Sequence, residues 1–227
     1  MAEQTPRTEH PAGPGRLLAG VAWAALLLGL WGWGADGFAG TSAPMTGDVA
    51  AVGRPMERRP PAAREGGEPA EPRRVDVPSV GVAAPVVPRG LDVTGAVDPP
   101  AYDRPGVVGW YSGGVRPGAR GTALFVGHVD TRTGRAVFYD LSATRPGEKI
   151  RVTRSDGSVA EFTVDDVRVH SRERFDARKV YGPHLPDRAE LRLITCGGTF
   201  DRESRTYTAN VVVSAYLTAV EEARRDG

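Results

Sequence analysis

Residues 190–198 read ELRLITCGG, an apolar run that closes with a cysteine and two glycines. Successive side chains of a strand point to opposite faces, so Cys196 shares a face with Ile194. A second run of this kind, ALFVGHVD at residues 123–130, carries His128 at the same relative position. The two runs predict buried β-strands that each place one reactive side chain at a polar end.

Similar short runs, rich in β-branched and aromatic residues and separated by Gly, Pro and Asp, continue on both sides of these two. The candidate strands are 75–87, 107–111, 123–130, 136–141, 149–154, 159–170, 190–196 and 208–217. Asp156-Gly157 favours a tight hairpin, and 175–181 predicts a short helix or an irregular loop. Eight strands without a long amphipathic helix predict an all-β domain at 75–220, a closed or nearly closed barrel, with a polar tail at 221–227.

The amino-terminal part has a different character. Residues 17–35, LLAGVAWAALLLGLWGWGA, carry no charge, and as a helix they would span roughly 28 Å, close to the apolar thickness of a bilayer. We expect an uncleaved transmembrane signal anchor, because the run is long and its tryptophans do not suit a cleavage site. A cleaved signal peptide is the alternative, since basic residues precede the run. Arg7 and Arg16 favour a cytoplasmic segment 1–16, which would leave the remaining chain outside the cell.

Residues 36–74 contain 6 prolines and 6 glycines among 39 positions, with only scattered apolar side chains. Such a segment buries too little surface to offset its ordering entropy. It predicts a disordered linker that holds the barrel away from the membrane.

Charge and cysteine content exclude several classes of function. The chain has 29 basic and 28 acidic residues, a net charge of +1, which does not indicate a nucleic-acid partner. Its single cysteine excludes an intramolecular disulfide framework and a multi-cysteine zinc site. The chemistry that we expect of Cys196 and His128, described next, requires no metal and no cofactor.

Cys196 and His128 together form a sufficient nucleophile and general acid–base pair, because an imidazole can take a thiol proton and return it to a leaving amine. Gly197 and the glycine after it leave main-chain N–H groups open to an oxyanion. Asp130 is a candidate to orient the imidazole or to bind a cation with it. The plainer interpretation is a packing cysteine and a core histidine bonded to a backbone carbonyl.

The segment 197–207 brings Arg202 and Arg205 within ten residues of the thiol. A guanidinium remains protonated and offers a planar fork of donors, which suits a developing oxyanion. The alternative is that these are ordinary arginines of an exposed loop.

The order GHVD, then LRLITCGG about seventy residues later, then NVVV resembles the sortases, in particular the actinobacterial class F, over residues 75–217. The resemblance implies an eight-stranded sortase-type barrel with a Cys/His/Arg site. It also implies cleavage of a carboxy-terminal Leu-Pro-x-Thr-Gly-like sorting signal of surface proteins. The acyl group would pass to an amine of peptidoglycan or its lipid-linked precursor, with hydrolysis as a side activity.

Under this resemblance Cys196 is the thiolate, His128 the imidazole and Arg205 the arginine. Many sortases carry the arginine at the start of the final strand, where this chain has Ala209 and Asn210. The supporting candidates are Arg202, Thr195, Asp130, Asn210 and Gly197. The competing hypothesis from a different class is a non-catalytic, membrane-tethered β-barrel that binds wall polymer or a protein partner.

Overall fold

The computed structural model describes residues 59–62 and 70–223. Eight strands close a barrel, and a separate two-stranded ribbon accompanies it. This closed, all-β architecture confirms the fold class predicted from the sequence.

The strands are β1 Pro72–Val77, β2 Val82–Arg89, β3 Val108–Tyr111, β4 Gly121–Val126, β5 Asp130–Thr131, β6 Gly134–Arg135, β7 Lys149–Arg154, β8 Val159–Ser171, β9 Ala189–Asp201 and β10 Thr206–Glu221. The order around the barrel is β1-β2-β3-β4-β9-β10-β8-β7, and β5 pairs with β6 in the ribbon. One short helix, α1 Ala177–Tyr181, is capped by the preceding Asp176, whose side chain accepts the backbone N–H groups of Arg178 and Lys179. Short 3-10 turns occupy Pro78–Val80, Leu141–Ala143 and Arg172–Arg174.

The central strands β4, β9 and β10 are buried on both faces over most of their length. Their inward side chains, such as Phe125, Leu193 and Val213, fill the barrel and are fully buried. Their outward side chains, such as Ile194 and Val212, form a second cluster that includes Val180 of α1. We call the segment 172–188 the roof, because it crosses this outer face. Strands covered on both faces read as continuous apolar runs, which is how β4 appears in the sequence, whereas the buried Glu190 and Arg192 interrupt the run of β9.

Two of the strand predictions are wrong in detail. The stretch 75–87 forms two antiparallel strands separated by a 3-10 turn, in which Gly81 has a φ of 68° that favours glycine. The stretch 136–141 is a turn leading into a 3-10 helix, because Phe138 packs into the core and donates its N–H to the His128 carbonyl. The barrel therefore has eight strands, but not the eight that the pattern indicates.

The ends of the barrel extend past the predicted bounds. β1 begins at Pro72, within the predicted linker, and β10 continues to Glu221, within the predicted tail. Residues 59–62 also contact the barrel, where Tyr216 donates to the Pro60 carbonyl at 2.6 Å and Arg59 pairs with Asp165 at 2.8 Å. The predicted membrane anchor at 17–35 lies outside the described residues, and within them no helix has the length and apolar character to span a bilayer.

Candidate active site

Cys196 lies within β9 rather than at its end, because β9 continues as a hairpin with β10 as far as Asp201. The residue beside Cys196 on β10 is Asn210, and the residue beside Asn210 on β8 is His170. Paired residues of adjacent strands project to the same face, so these three side chains form one row on the outer face of the barrel.

His128 approaches the other side of the same row. β4 runs parallel to β9, with Val126 beside Ile194, and the Gly127 N–H donates to the Ile194 carbonyl. Continuing this register by two residues places His128 next to Cys196, so the fold brings both predicted residues to one edge of the outer face.

The segment that joins β2 to β3 contacts the His128 ring. The ring is 7% exposed, and its Nε2 lies 2.6 Å from the Pro100 carbonyl oxygen, so a protonated Nε2 donates there. The Tyr102 ring stacks on it, with 4.2 Å between ring centroids and 20° between planes. In this arrangement the nitrogen that could reach a substrate is occupied by a backbone carbonyl.

The Cys196 thiol is free and partly buried. Burial raises the pKa of this thiol above its ordinary value, the Arg172 charge lowers it, and the Asp130 charge raises it further. The geometry of the site therefore does not lower the pKa of this thiol, although a lowered pKa is one of the outcomes expected for an activated cysteine.

Asp130 contacts Tyr207, a residue that the sequence pattern does not single out. The Tyr207 hydroxyl donates to Asp130 Oδ2, and burial together with this hydrogen bond raises the pKa of the phenol far above its usual range. The carboxylate that the sequence suggested as a support for the imidazole is thus bonded to a phenol on β10. A tyrosine at this position gives no sequence signal, because the contact joins residues 77 positions apart.

Arg205 and Arg202 lie at the far end of the β9–β10 hairpin. The last pair of this hairpin is Asp201 with Thr206, so both arginines belong to the exposed turn, where Arg205 has a φ of 54°. Asn210, the neighbour of Cys196, is five residues from Arg205, which corresponds to about 16 Å along a strand. The structure therefore does not bring these arginines to the thiol.

The other supporting candidates have local packing roles. Thr195 is buried on the inner face beside Val211, and its hydroxyl has no hydrogen-bond partner among the described residues. A Cβ on Gly197 would lie 2.6 Å from Val211 Cγ2, so the backbone of β9 needs glycine to approach β10 closely. Asn210 is half-buried beside the thiol.

The roof is tied to the sheet by a buried ion pair. Arg192 Nη2 lies 2.6 Å from Glu190 Oε2, and the two side chains are 1% and 3% exposed. Glu190 also accepts the backbone N–H groups of His184 and Leu185, and Arg192 donates to the Gly182 carbonyl. These bonds fix the carboxy-terminal half of the roof beside the active-site row.

No cluster of three His, Cys, Asp or Glu side chains suited to a metal ion occurs in the part of the chain that the structure describes. The groups that the site offers are a thiol, an imidazole, an amide and a phenol–carboxylate pair. This set can perform nucleophilic attack and proton transfer, the elements of acyl transfer through a covalent cysteine intermediate.

Residues 75–218 match the family model described as the Sortase domain. Solved structures with the same fold include sortase A from Listeria monocytogenes, at 20% identity and a TM-score of 0.51, covering 69% of this chain and 93% of that one. SrtA sortase from Actinomyces oris gives 18% identity and a TM-score of 0.51, over 76% and 95% of the two chains. A lid mutant of sortase A from Corynebacterium diphtheriae gives 18% and 0.51, over 68% and 74%. No curated protein matches the chain in sequence.

Proposed function

The chain belongs to the sortase family, and from that premise we propose that it is a membrane-anchored, extracellular cysteine transpeptidase of the class F type. Its substrates are surface proteins with a Leu-Pro-x-Thr-Gly-like sorting signal. Its acceptor is an amine of peptidoglycan or of the lipid-linked precursor. The observation that supports this most directly is the β4–β9 register, which carries His128 to the row of Cys196.

The reaction consists of two acyl transfers. The Cys196 thiolate attacks the carbonyl carbon of the substrate threonine, a C–S bond forms, and the C–N bond to glycine breaks as His128 delivers a proton to the departing amine. The acceptor amine then attacks the thioester, loses its proton to His128, and releases the thiolate. Water entering in place of the amine gives the hydrolysed peptide.

Two features of the site indicate what the substrate must change. Burial raises the pKa of Cys196, and the Pro100 carbonyl occupies His128 Nε2. Displacement of the 99–102 segment by an extended peptide would release the imidazole next to the thiol. Proton transfer from Cys196 to His128 then becomes possible at the moment of binding.

The experiment that tests the function is mass spectrometry of the full-length chain mixed with a Leu-Pro-x-Thr-Gly peptide. We expect an adduct on Cys196 with the mass of the peptide up to threonine, minus water. Cys196→Ala must abolish the adduct and the cleavage, and His128→Asn must reduce both by about 100-fold or more. Full cleavage by Cys196→Ala would refute the mechanism.

The competing hypothesis, a non-catalytic barrel that binds wall polymer or a protein, is favoured by the same covered imidazole and raised thiol pKa. Iodoacetamide distinguishes the two. If Cys196 is catalytic, a non-cleavable sorting-signal analogue should change its rate of alkylation: the rate rises if the analogue activates the thiol and falls if the analogue covers it. A packing cysteine should react at the same slow rate with and without the analogue.

A further inference from the structure

Attack on a carbonyl moves negative charge from sulfur to oxygen, and a fixed cation beside that oxygen stabilises the transition state. The two arginines favoured by the sequence are about 16 Å along the hairpin from the thiol row. A cation that stabilises this oxygen must therefore come from another residue near the row of Cys196.

Arg172 emerges beside this row from a different strand. Ser171, the last residue of β8, pairs with Ala209, and Ala209 pairs with Gly197. Arg172 follows at once, at the start of the roof. Two strand spacings across and two residues along place its Cα about 12 Å from that of Cys196. An extended arginine side chain covers roughly half of this distance, and the cysteine side chain covers part of the remainder.

Two arginines on the neighbouring strands are already engaged. Arg192 is paired with Glu190, and Arg168 is 2.8 Å from Asp166. Arg172 is exposed, and within residues 59–62 and 70–223 no hydrogen bond or ion pair engages its side chain. Its guanidinium is thus available to a ligand without breaking an existing contact.

The electrostatics of the thiol agree with this placement. Among the cations of the described chain, Arg172 is the one whose charge lowers the pKa of Cys196, against the effect of burial and of Asp130. The Asp130 carboxylate accepts the Tyr207 hydroxyl, and no ion pair joins it to Arg172 among the described residues.

We propose that Arg172, at the junction of β8 and the roof, supplies the guanidinium of the active site and donates to the carbonyl oxygen of the substrate threonine. This inference rests on the proposed function and assigns a new residue to it. Arg172 keeps its protons throughout, and the negative charge passes from sulfur to the carbonyl oxygen and back as the tetrahedral intermediate forms and collapses.

The test compares Arg172→Ala and Arg172→Lys in the full-length chain, with Arg174→Ala as the matched control from the same exposed turn. Cleavage of the Leu-Pro-x-Thr-Gly peptide gives kcat and KM. We expect Arg172→Ala to lose about 100- to 1000-fold in kcat/KM, mainly in kcat. Arg172→Lys retains part of the rate, because it keeps the charge but not the planar fork. Arg174→Ala stays near the parent.

A second readout needs no substrate. The rate of Cys196 alkylation by iodoacetamide, followed against pH, should shift to higher pH in Arg172→Ala and remain near the parent in Arg172→Lys and Arg174→Ala. Thermal unfolding should be unchanged in all three, because the side chain is exposed. A structural effect alone would not move the alkylation profile while leaving the melting temperature constant.

The outcomes separate the two proposals. If the parent cleaves the peptide through Cys196 but Arg172→Ala behaves like Arg174→Ala, the assignment of Arg172 is overturned and the proposed function stands. Loss of activity in Arg205→Ala with full activity in Arg172→Ala would return the role to Arg205. If the parent forms no peptidyl adduct, the proposed function and this inference both fall.

Discussion

The buried pair of Glu190 and Arg192 allows a stability prediction that also concerns the site. The two charged groups are in contact at 2.6 Å and almost fully withdrawn from water. Arg192→Met leaves the Glu190 carboxylate buried with only two backbone N–H donors. Removal of one partner from a buried pair typically costs about 3–5 kcal/mol, because the remaining charge has no compensation. We expect a loss of this size in the free energy of unfolding.

The double variant identifies the source of that loss. Glu190→Gln leaves the guanidinium buried and should cost a similar amount. Glu190→Gln combined with Arg192→Met contains neither charge and should cost less than the sum of the single changes by at least about 1 kcal/mol. Urea unfolding followed by circular dichroism measures all three. An exposed pair, Arg74 with Asp76 at 2.9 Å, gives the control, since Arg74→Met should cost less than about 1 kcal/mol.

The pH dependence supplies an independent check. Burial opposes ionisation of Glu190, but the His184 N–H and the Arg192 charge outweigh it and hold the pKa of this carboxyl below its usual range. A lowered folded pKa stabilises the protein above the unfolded value of about 4.3, and the gain disappears as the pH falls through the folded value. The difference in the free energy of unfolding between the parent and Glu190→Gln should therefore become smaller as the pH falls below about 4.3. Equal losses in Arg192→Met and Arg74→Met would refute the reasoning.

Three further predictions concern the row of the thiol. Cys196 alkylation should rise with pH around a midpoint above that of a free cysteine, because burial raises its pKa, and a lower midpoint would contradict this. Asp130→Asn removes a negative charge that disfavours the thiolate, so the same profile should move to lower pH, and no movement would show that the two groups are not coupled. Gly197→Ala should lower the free energy of unfolding by about 1–3 kcal/mol, because the added methyl group overlaps with Val211. Gly90 has open space around it, so Gly90→Ala should have little effect. Urea unfolding measures both variants, and equal effects would refute the packing argument.

The sequence predicts the strands well where the chain is covered on both sides. β7 coincides with its predicted bounds, and β9 includes the predicted run with its alternation of faces. The pattern fails at 136–141, where Phe138 and Leu141 are as deeply buried as strand residues but belong to a turn. Short apolar runs do not distinguish a buried turn from a buried strand, because both are selected for burial.

Some residues of the site can be predicted from local sequence, whereas others depend on the tertiary structure. His128 and Cys196 could be recognised because each follows a buried run, and a parallel pairing of two such runs aligns their ends. The contact of Tyr207 with Asp130 and the position of Arg172 beside the thiol row depend on how β8, β9 and β10 are ordered in the barrel. That order is set by long-range pairing, which no local pattern encodes.

The site lies where the cover of the outer face ends. Val126, Ile194 and Val212 form one row of the outer apolar cluster, and the next row along the same strands contains the thiol and its polar neighbours. These three side chains are only 2% to 8% exposed, so an extended peptide can reach the row of the thiol but not the apolar row before it. Replacing Ile194 by a charged residue would place an unpaired charge in the cluster beneath the roof, which typically costs about 3–5 kcal/mol. The expected effect is a loss of this size in the free energy of unfolding, measured by urea unfolding, whereas Arg172→Ala should lower kcat without changing the melting temperature.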